Sequence, residues 1–230
     1  MIDLLRFFND TLISYIINLH CNKLVSSSLQ QLSKISQSQS EHVEFKLASA
    51  FSIPFLQNES VDLITVGQGL HWLSPHELFF QEVIRLLKPN GHFVAVSHRT
   101  AQIISDPELQ SLHLEYYFGT LGSLKQPGEV GCYWDINRSS IDNFYSDINF
   151  PANTTIYRTE FDSESPQIEM TFDDFFGFLR SVSAYQNFLA TNRELEDPLI
   201  ELKRKFEVVN KAKKMIVKFP YFSISFSKRS

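Results

Sequence analysis

Residues 60–99, SVDLITVGQGLHWLSPHELFFQEVIRLLKPNGHFVAVSHR, predict an α/β fold. Three observations carry this: a short apolar run closed by glycine, a stretch with helical spacing, and a second apolar run beyond a proline and glycine break. Together they read as one strand–helix–strand unit, the repeating piece of an open sheet flanked by helices. Ligands of such sheets bind beyond the carboxyl ends of the strands, where Gly67, Gln68, Gly69, His71 and Trp72 fall. The expected site is therefore one for a small molecule.

The elements follow in order. Leu5, Phe8, Leu12, Ile16 and Leu19 step by three or four residues, which predicts an opening amphipathic helix. Short strands are expected at 23–25 and 43–47, separated by a polar loop at 33–41. Val61, Leu63, Ile64 and Val66 form a run of the kind a sheet buries on both faces, and Gly67 ends it. Ser74 is expected to cap the next helix, with Pro75 in its first position and Glu77 completing a capping box. Leu78, Phe79, Val83, Leu86 and Leu87 then share one face, and Lys88-Pro89-Asn90-Gly91 should stop the helix before a strand at 93–96. Further on, Asp106-Pro107-Glu108 starts a helix to about Phe118, followed by a loop at 119–131 and a strand at 154–161. Thr171 with Asp174 caps a helix carrying Phe172, Phe175, Phe176, Leu179 and Val182; another helix is expected at 194–209, and a strand pair at 216–226 closes the sheet.

Composition suits one domain, because 230 residues with 43% hydrophobic and 20% charged can bury a sizeable core. The net charge of −5 leaves no basic face beyond the lysine groups at 203–205 and 211–214, which read as the solvated side of one helix; nucleic acid is therefore disfavoured as a partner. Cys21 and Cys132 lack metal-ligand or disulfide spacing, so no metal is expected and a reducing compartment is. Asp3, Arg6 and Asp10 spoil a signal h-region, and no apolar run approaches the ~18 residues that span a membrane, which makes the cytoplasm the expected location.

Gln68, His71, Trp72, Phe79, Glu82, Arg85, Leu87, Lys88, Pro89 and Gly91, in this order between two apolar strands, resemble the second half of a class I S-adenosylmethionine-dependent methyltransferase. Gly131-Cys132-Tyr133-Trp134, Arg138-Ser139, Thr171-Phe172 and residues 178–185 resemble the branch that contains the trans-aconitate methyltransferases. The resemblance runs from about residue 11 to the C-terminus. It implies a Rossmann-like sheet, S-adenosylmethionine as cofactor, a cofactor half at 1–99, and lid helices with closing strands at 100–230. The family's glycine-rich turn should precede the helix near Asn9, but residues 1–8 contain no glycine, so the first strand of the sheet is expected to be missing.

The same resemblance assigns sites. Ser26 stands where the family places an acidic residue on the cofactor ribose, Ala50 and Phe51 fall in the segment that packs on adenine, and Gly67 and Gln68 in the loop near the methionine moiety. His71, Trp72, Tyr133, Trp134, Arg138, Arg180 and Tyr185 are placed around a small-molecule methyl acceptor. An acceptor carboxylate is already a nucleophile, so the protein needs to position it rather than deprotonate it, and Arg180 or Arg138 would be its two-pronged clamp. For a hydroxyl or thiol acceptor His71 is the candidate base, at a place where solvent and ligand meet. Plainer readings stand beside these: Phe51, Trp72 and Trp134 as packing, His71 as a satisfied core histidine, Gln68 as a turn residue and Arg138 as a loop tether. At this point two functions remain open, a methyltransferase acting on a small molecule such as a carboxylic acid, and a catalytically inactive relative that acts through partner binding. A nicotinamide-dependent oxidoreductase fits less well, for want of a Gly-x-Gly-x-x-Gly turn and a Tyr-x-x-x-Lys pair on a helix.

Overall fold

The computed structural model describes residues 48–119 and 130–229. They fall into two compact units: 48–96, 146–158 and 223–229 form the first, and 97–119, 130–145 and 159–222 the second. The expected strands at 23–25 and 43–47, Ser26, Cys21 and residues 120–129 of the expected lid lie outside the described residues.

The first unit is built on a parallel pair. Strand β1 (Val61–Gly67) runs alongside β2 (Leu87–His98), and helix α1 (His76–Leu86) makes the crossover that two parallel strands require. Ile64 faces Phe93, Thr65 faces Val94 and Gly67 faces Val96. Two more strands, β4 (Tyr157–Glu160) and β7 (Tyr221–Ser227), complete a sheet in the order β1-β2-β7-β4. Phe79, Phe80, Val83 and Leu86 of α1 are buried, and Phe80 meets Phe93 and Phe226 edge-on at 5.6 and 5.9 Å while Phe93 stacks on Phe226 at 5.0 Å.

Two expectations about α1 are corrected. Ser74 is not its cap: Pro75 occupies that position with extended ψ of 123°, its carbonyl accepts from the Phe79 N–H at 3.3 Å, and no side chain caps the helix. The helix also stops before Lys88, because Leu87 turns to ψ 133° and already pairs with Val61. Residues 88–91 are instead an irregular stretch of β2, where the register with β1 shifts and Asn90 adopts φ 64°.

The second unit carries a sheet that the sequence did not announce. Strands β3 (Gln102–Ile103), β5 (Gln167–Thr171) and β6 (Lys214–Lys218) pair antiparallel in the order β3-β6-β5. The expected closing pair at 216–226 is thus split, with β6 in this sheet and β7 in the other. Around it stand α2 (Pro107–Phe118), the short α3 (Ser139–Asp142), α4 (Phe172–Ser181), α5 (Ser183–Thr191) and α6 (Pro198–Val209). Asp106 caps α2 through Glu108 and Leu109, and Thr171 with Asp174 forms the expected capping box on α4. The helix expected at 194–209 begins only at Pro198, because Asp197 caps it by accepting from Leu199. Likewise the strand expected at 154–161 shortens to β4.

Phe172, Phe175, Phe176 and Leu179 of α4 pack with Phe206 of α6, Phe188 of α5, and Met215 and Val217 of β6. The basic residues do not share one helix. Lys203 lies on α6 and pairs with Asp173 at 2.6 Å, whereas Lys213 and Lys214 lie beyond it and pair with Glu207 and Glu169.

Candidate active site

In the first unit the carboxyl end of the parallel pair carries the predicted loop. Gly67 closes β1, and Gln68 donates its N–H to the Val96 carbonyl at 2.8 Å, extending the pairing by one residue. Gln68 has φ 50°, a left-handed conformation uncommon for a residue with a Cβ, and the strand ends here. No described atom lies within 4 Å of the place a Cβ on Gly67 would take, which leaves open space beside the strand end. A single 3₁₀ turn follows at Leu70–Trp72, with the Trp72 N–H on the Gly69 carbonyl at 3.0 Å. That turn buries Leu70 and also His71, which is 4% exposed, so the expectation of a solvent-facing histidine is corrected. The rings of His71 and half-buried Trp72 lie 5.0 Å apart.

Ala50 and Phe51 sit at the tip of a separate tight turn, in which the Ser52 N–H meets the Ser49 carbonyl at 3.1 Å and the Phe51 N–H meets Ser49 Oγ at 3.2 Å. Ala50 is buried and Phe51 half-buried. The chain beyond this turn is tied to α1 by a carboxylate and a guanidinium. Glu82 takes Arg85 in a two-pronged pair, 2.7 Å on each oxygen, and its Oε1 also accepts from the Ile53 N–H at 2.6 Å. The Arg85 hydrogen bonds hold the Glu82 pKa below the ordinary carboxylate value against the opposing effect of burial, and Arg85 itself is raised. The sequence quoted both residues as motif members but gave them no role, because their loop partners lie 27 to 32 residues away.

The second unit gathers part of the expected acceptor set. Residues Val130–Tyr133 form a 3₁₀ turn against α2, and Gly131 is required there: a Cβ would fall 2.8 Å from the Phe118 carbonyl carbon. Trp134 donates from Nε1 to the Tyr117 carbonyl at 2.9 Å and lies against the Tyr117 ring at 4.6 Å. The buried Arg138 guanidinium lies 5.4 Å from the Trp134 ring centroid, with Nη2 donating to Thr100 Oγ1 at 3.3 Å. Its Nη1 is 3.1 Å from Asp142 Oδ1 yet is not aligned for a hydrogen bond. Burial opposes the charge of Arg138, but Tyr117 and Asp142 outweigh it and its pKa moves up; burial pushes the Tyr117 hydroxyl up as well. Tyr117, Thr100 and Asp142 are the members of this group that sequence reasoning missed, since nothing local sets Tyr117 apart from other aromatics on α2.

Tyr133, Arg180 and Tyr185 are placed differently. Tyr133 packs edge-on to Phe188 and its hydroxyl accepts from Asn192 Nδ2 at 2.7 Å. Tyr185 is buried in the core of the unit and donates to Asp197 Oδ2 at 3.1 Å; burial first, then this bond, raises its pKa. Arg180 is exposed on the last turn of α4. Of the two arginines proposed as a clamp, only Arg138 combines burial with aromatic walls. Among the described residues no group of three metal-ligating side chains occurs, and no helix is long and apolar enough to cross a membrane.

Comparison with known proteins bears on this arrangement. A family model described as a methyltransferase domain matches residues 10–95, ending inside β2. A candidate methyltransferase from Dictyostelium discoideum is 31% identical over 187 residues, which cover 80% of this chain and 66% of that protein. The solved structure of a candidate type II methyltransferase from Anaeromyxobacter dehalogenans superimposes with a TM-score of 0.66 at 19% identity, covering 94% of this chain and 81% of the other. Residues 10–95 thus match a methyltransferase domain, and the solved structure shares its fold. An uncharacterized methyltransferase from Schizosaccharomyces pombe shares 42% identity over 55 residues, 24% of this chain and 21% of that protein. The chain therefore spans just under two thirds of the Dictyostelium relative and about a fifth of the yeast one.

Proposed function

We propose that this protein transfers a methyl group from S-adenosylmethionine to a small carboxylic acid in the cytoplasm. The methyltransferase-domain match over residues 10–95 supports the donor. The described donor residues suit such a cofactor: a half-buried aromatic at a turn tip, open space beside Gly67, and a left-handed Gln68 at the carboxyl end of the parallel pair. Held beside Phe51, Gly67 and Gln68, the donor would supply a methyl group on a sulfonium sulfur, whose transfer to an acceptor carboxylate oxygen, with the S–C electron pair left on sulfur, would give a methyl ester and S-adenosylhomocysteine.

The observation that carries the acceptor class is Arg138. Its guanidinium is buried, lies against the Trp134 ring and pairs with Asp142 at 3.1 Å, and a substrate carboxylate would exchange with that contact through a charge-assisted bond that fixes its orientation. Trp134 and Tyr117 exclude water from that charge and strengthen it. No general base is then needed, and the contribution of the protein is orientation. His71 would serve only if the acceptor were a hydroxyl or thiol.

The test is calorimetric titration of the purified chain with S-adenosylhomocysteine, followed by transfer of labelled methyl to a panel of mono-, di- and tricarboxylic acids. Micromolar binding and label in an ester are expected, with Arg138→Lys raising the acceptor KM about tenfold or more while leaving the S-adenosylhomocysteine Kd in place. No heat at millimolar ligand overturns the donor reading, and label that appears only on amines or hydroxyls overturns the carboxylate.

A further inference from the structure

We propose that Glu82 and Arg85 are positioning residues for the donor site, a carboxylate–guanidinium clamp that sets where the Ala50–Phe51 turn meets the adenine of the donor. The inference rests on the donor reading above, in which this turn packs against the base.

The geometry is directional throughout. Arg85 spends its N–H groups on Glu82 Oε2 through Nε at 2.7 Å, on Glu82 Oε1 and the Ile53 carbonyl through Nη2 at 2.7 and 3.2 Å, and on the Leu56 carbonyl and Asn58 Oδ1 through Nη1 at 3.1 and 2.8 Å. These are all five donors of a guanidinium. Ile53 is gripped through both of its main-chain groups, N–H on Glu82 and carbonyl on Arg85. Phe51 precedes it by two residues, inside a turn closed by the Ser52 to Ser49 hydrogen bond.

Ile53 is 3% exposed, so apolar packing alone could bury this loop. Packing is non-directional, however, whereas hydrogen bonds to the N–H and the carbonyl of one residue hold the two peptide planes that flank it in orientation as well as in position. Phe51 is half-buried, and its open face is available to a planar base only if the turn keeps one orientation. A ligand that stacks on a preset wall does not have to order that wall when it binds. The clamp anchors the wall to α1, the crossover helix of the β1–β2 pair.

Titration of S-adenosylhomocysteine and of adenosine into the wild type, Glu82→Gln, Arg85→Lys and Asn58→Ala, each well below its melting temperature, tests this. Glu82→Gln and Arg85→Lys are expected to weaken both ligands by the same factor, about tenfold to a hundredfold, and to leave the acceptor KM unchanged. Asn58 is exposed, so Asn58→Ala folds even if the other two do not, and its expected loss is about twofold to fivefold. A role in stability alone would lower the melting temperature and leave both dissociation constants where they are, which overturns the proposal. Absence of binding by the wild type would instead bring down the donor reading on which it stands.

Discussion

The two units hold their segments in place by different physics. In the first, a polar clamp of two side chains on α1 reaches across to main-chain groups of the 53–58 loop. In the second, aromatic rings do the work: Phe175 stacks on Phe206 at 6.1 Å, Phe172 and Phe176 meet Phe206 edge-on, and His113 is enclosed between Tyr117 and Phe175. The contrast teaches that a loop needing one orientation is tied by directional bonds, while a helix cluster needing only proximity is tied by area.

The comparison breaks most sharply at Phe206. It is fully buried at the meeting of three phenylalanines, and Phe206→Ala removes their common contact and leaves a cavity costing about 3–5 kcal/mol. The chain has two tryptophans, Trp72 in the first unit and Trp134 in the second. Urea unfolding of a Trp72→Phe background, read from Trp134, should therefore show the loss. An unshifted midpoint would mean that the aromatic cluster is not what holds the second unit.

The next effect is pH-dependent and separates the units. His113 is fully buried, with one ring nitrogen 3.2 Å from the Ala101 carbonyl, and burial pushes its pKa down from 6.5 to about 4. The unfolded chain takes up this proton below about pH 6.5 and the folded chain only near 4, so unfolding binds protons and stability falls with pH across that window, by about 3 kcal/mol in all. Glu82 acts in a lower window. Its depressed pKa contributes stability that is complete above the ordinary value of 4.5 and is lost as pH falls through the folded value. Denaturation curves between pH 7 and 3 should show His113→Leu flattening the upper window and Glu82→Gln the lower, with Glu82→Gln costing about 1–2 kcal/mol at neutral pH. A single window for both variants would erase the distinction between the units.

What the sequence revealed follows the same line between local and distant causes. The caps at Asp106 and at Thr171 with Asp174 were legible because each is settled within four residues, and β1 and the 93–96 part of β2 because their apolar residues cluster in short runs. Ser74 misled because the backbone of Pro75 is itself extended and takes the capping position. The β3-β6-β5 sheet escaped notice since β3 has two residues and β5, although Ile168 and Met170 alternate with polar neighbours, is only five residues long and almost wholly exposed. Of the candidate site, Gln68, Trp134 and Arg138 were singled out by motif, whereas the burial of His71, the packing of Tyr117 on Trp134 and the reach of Arg85 depend on contacts between segments far apart in the chain.

The smallest expected effect tests whether surface charge belongs on either side of the comparison. Lys214 and Glu169 pair at 2.9 Å on neighbouring strands, and the hydrogen bond to Glu169 raises the lysine pKa. Both side chains are more than half exposed, so water and salt screen their attraction and the entropy of ordering two long side chains opposes it. Lys214→Met should leave the urea midpoint of the second unit in place, and raising the salt should leave the wild type in place as well. The raised pKa fixes the sign of whatever remains: any contribution is present at neutral pH and disappears only as pH rises through the folded value of Lys214, above its ordinary 10.5. A shift approaching that of Phe206→Ala would show that ion pairs across β5 and β6 hold this unit together, and the division between a clamped loop and a packed core would have to be redrawn around charge.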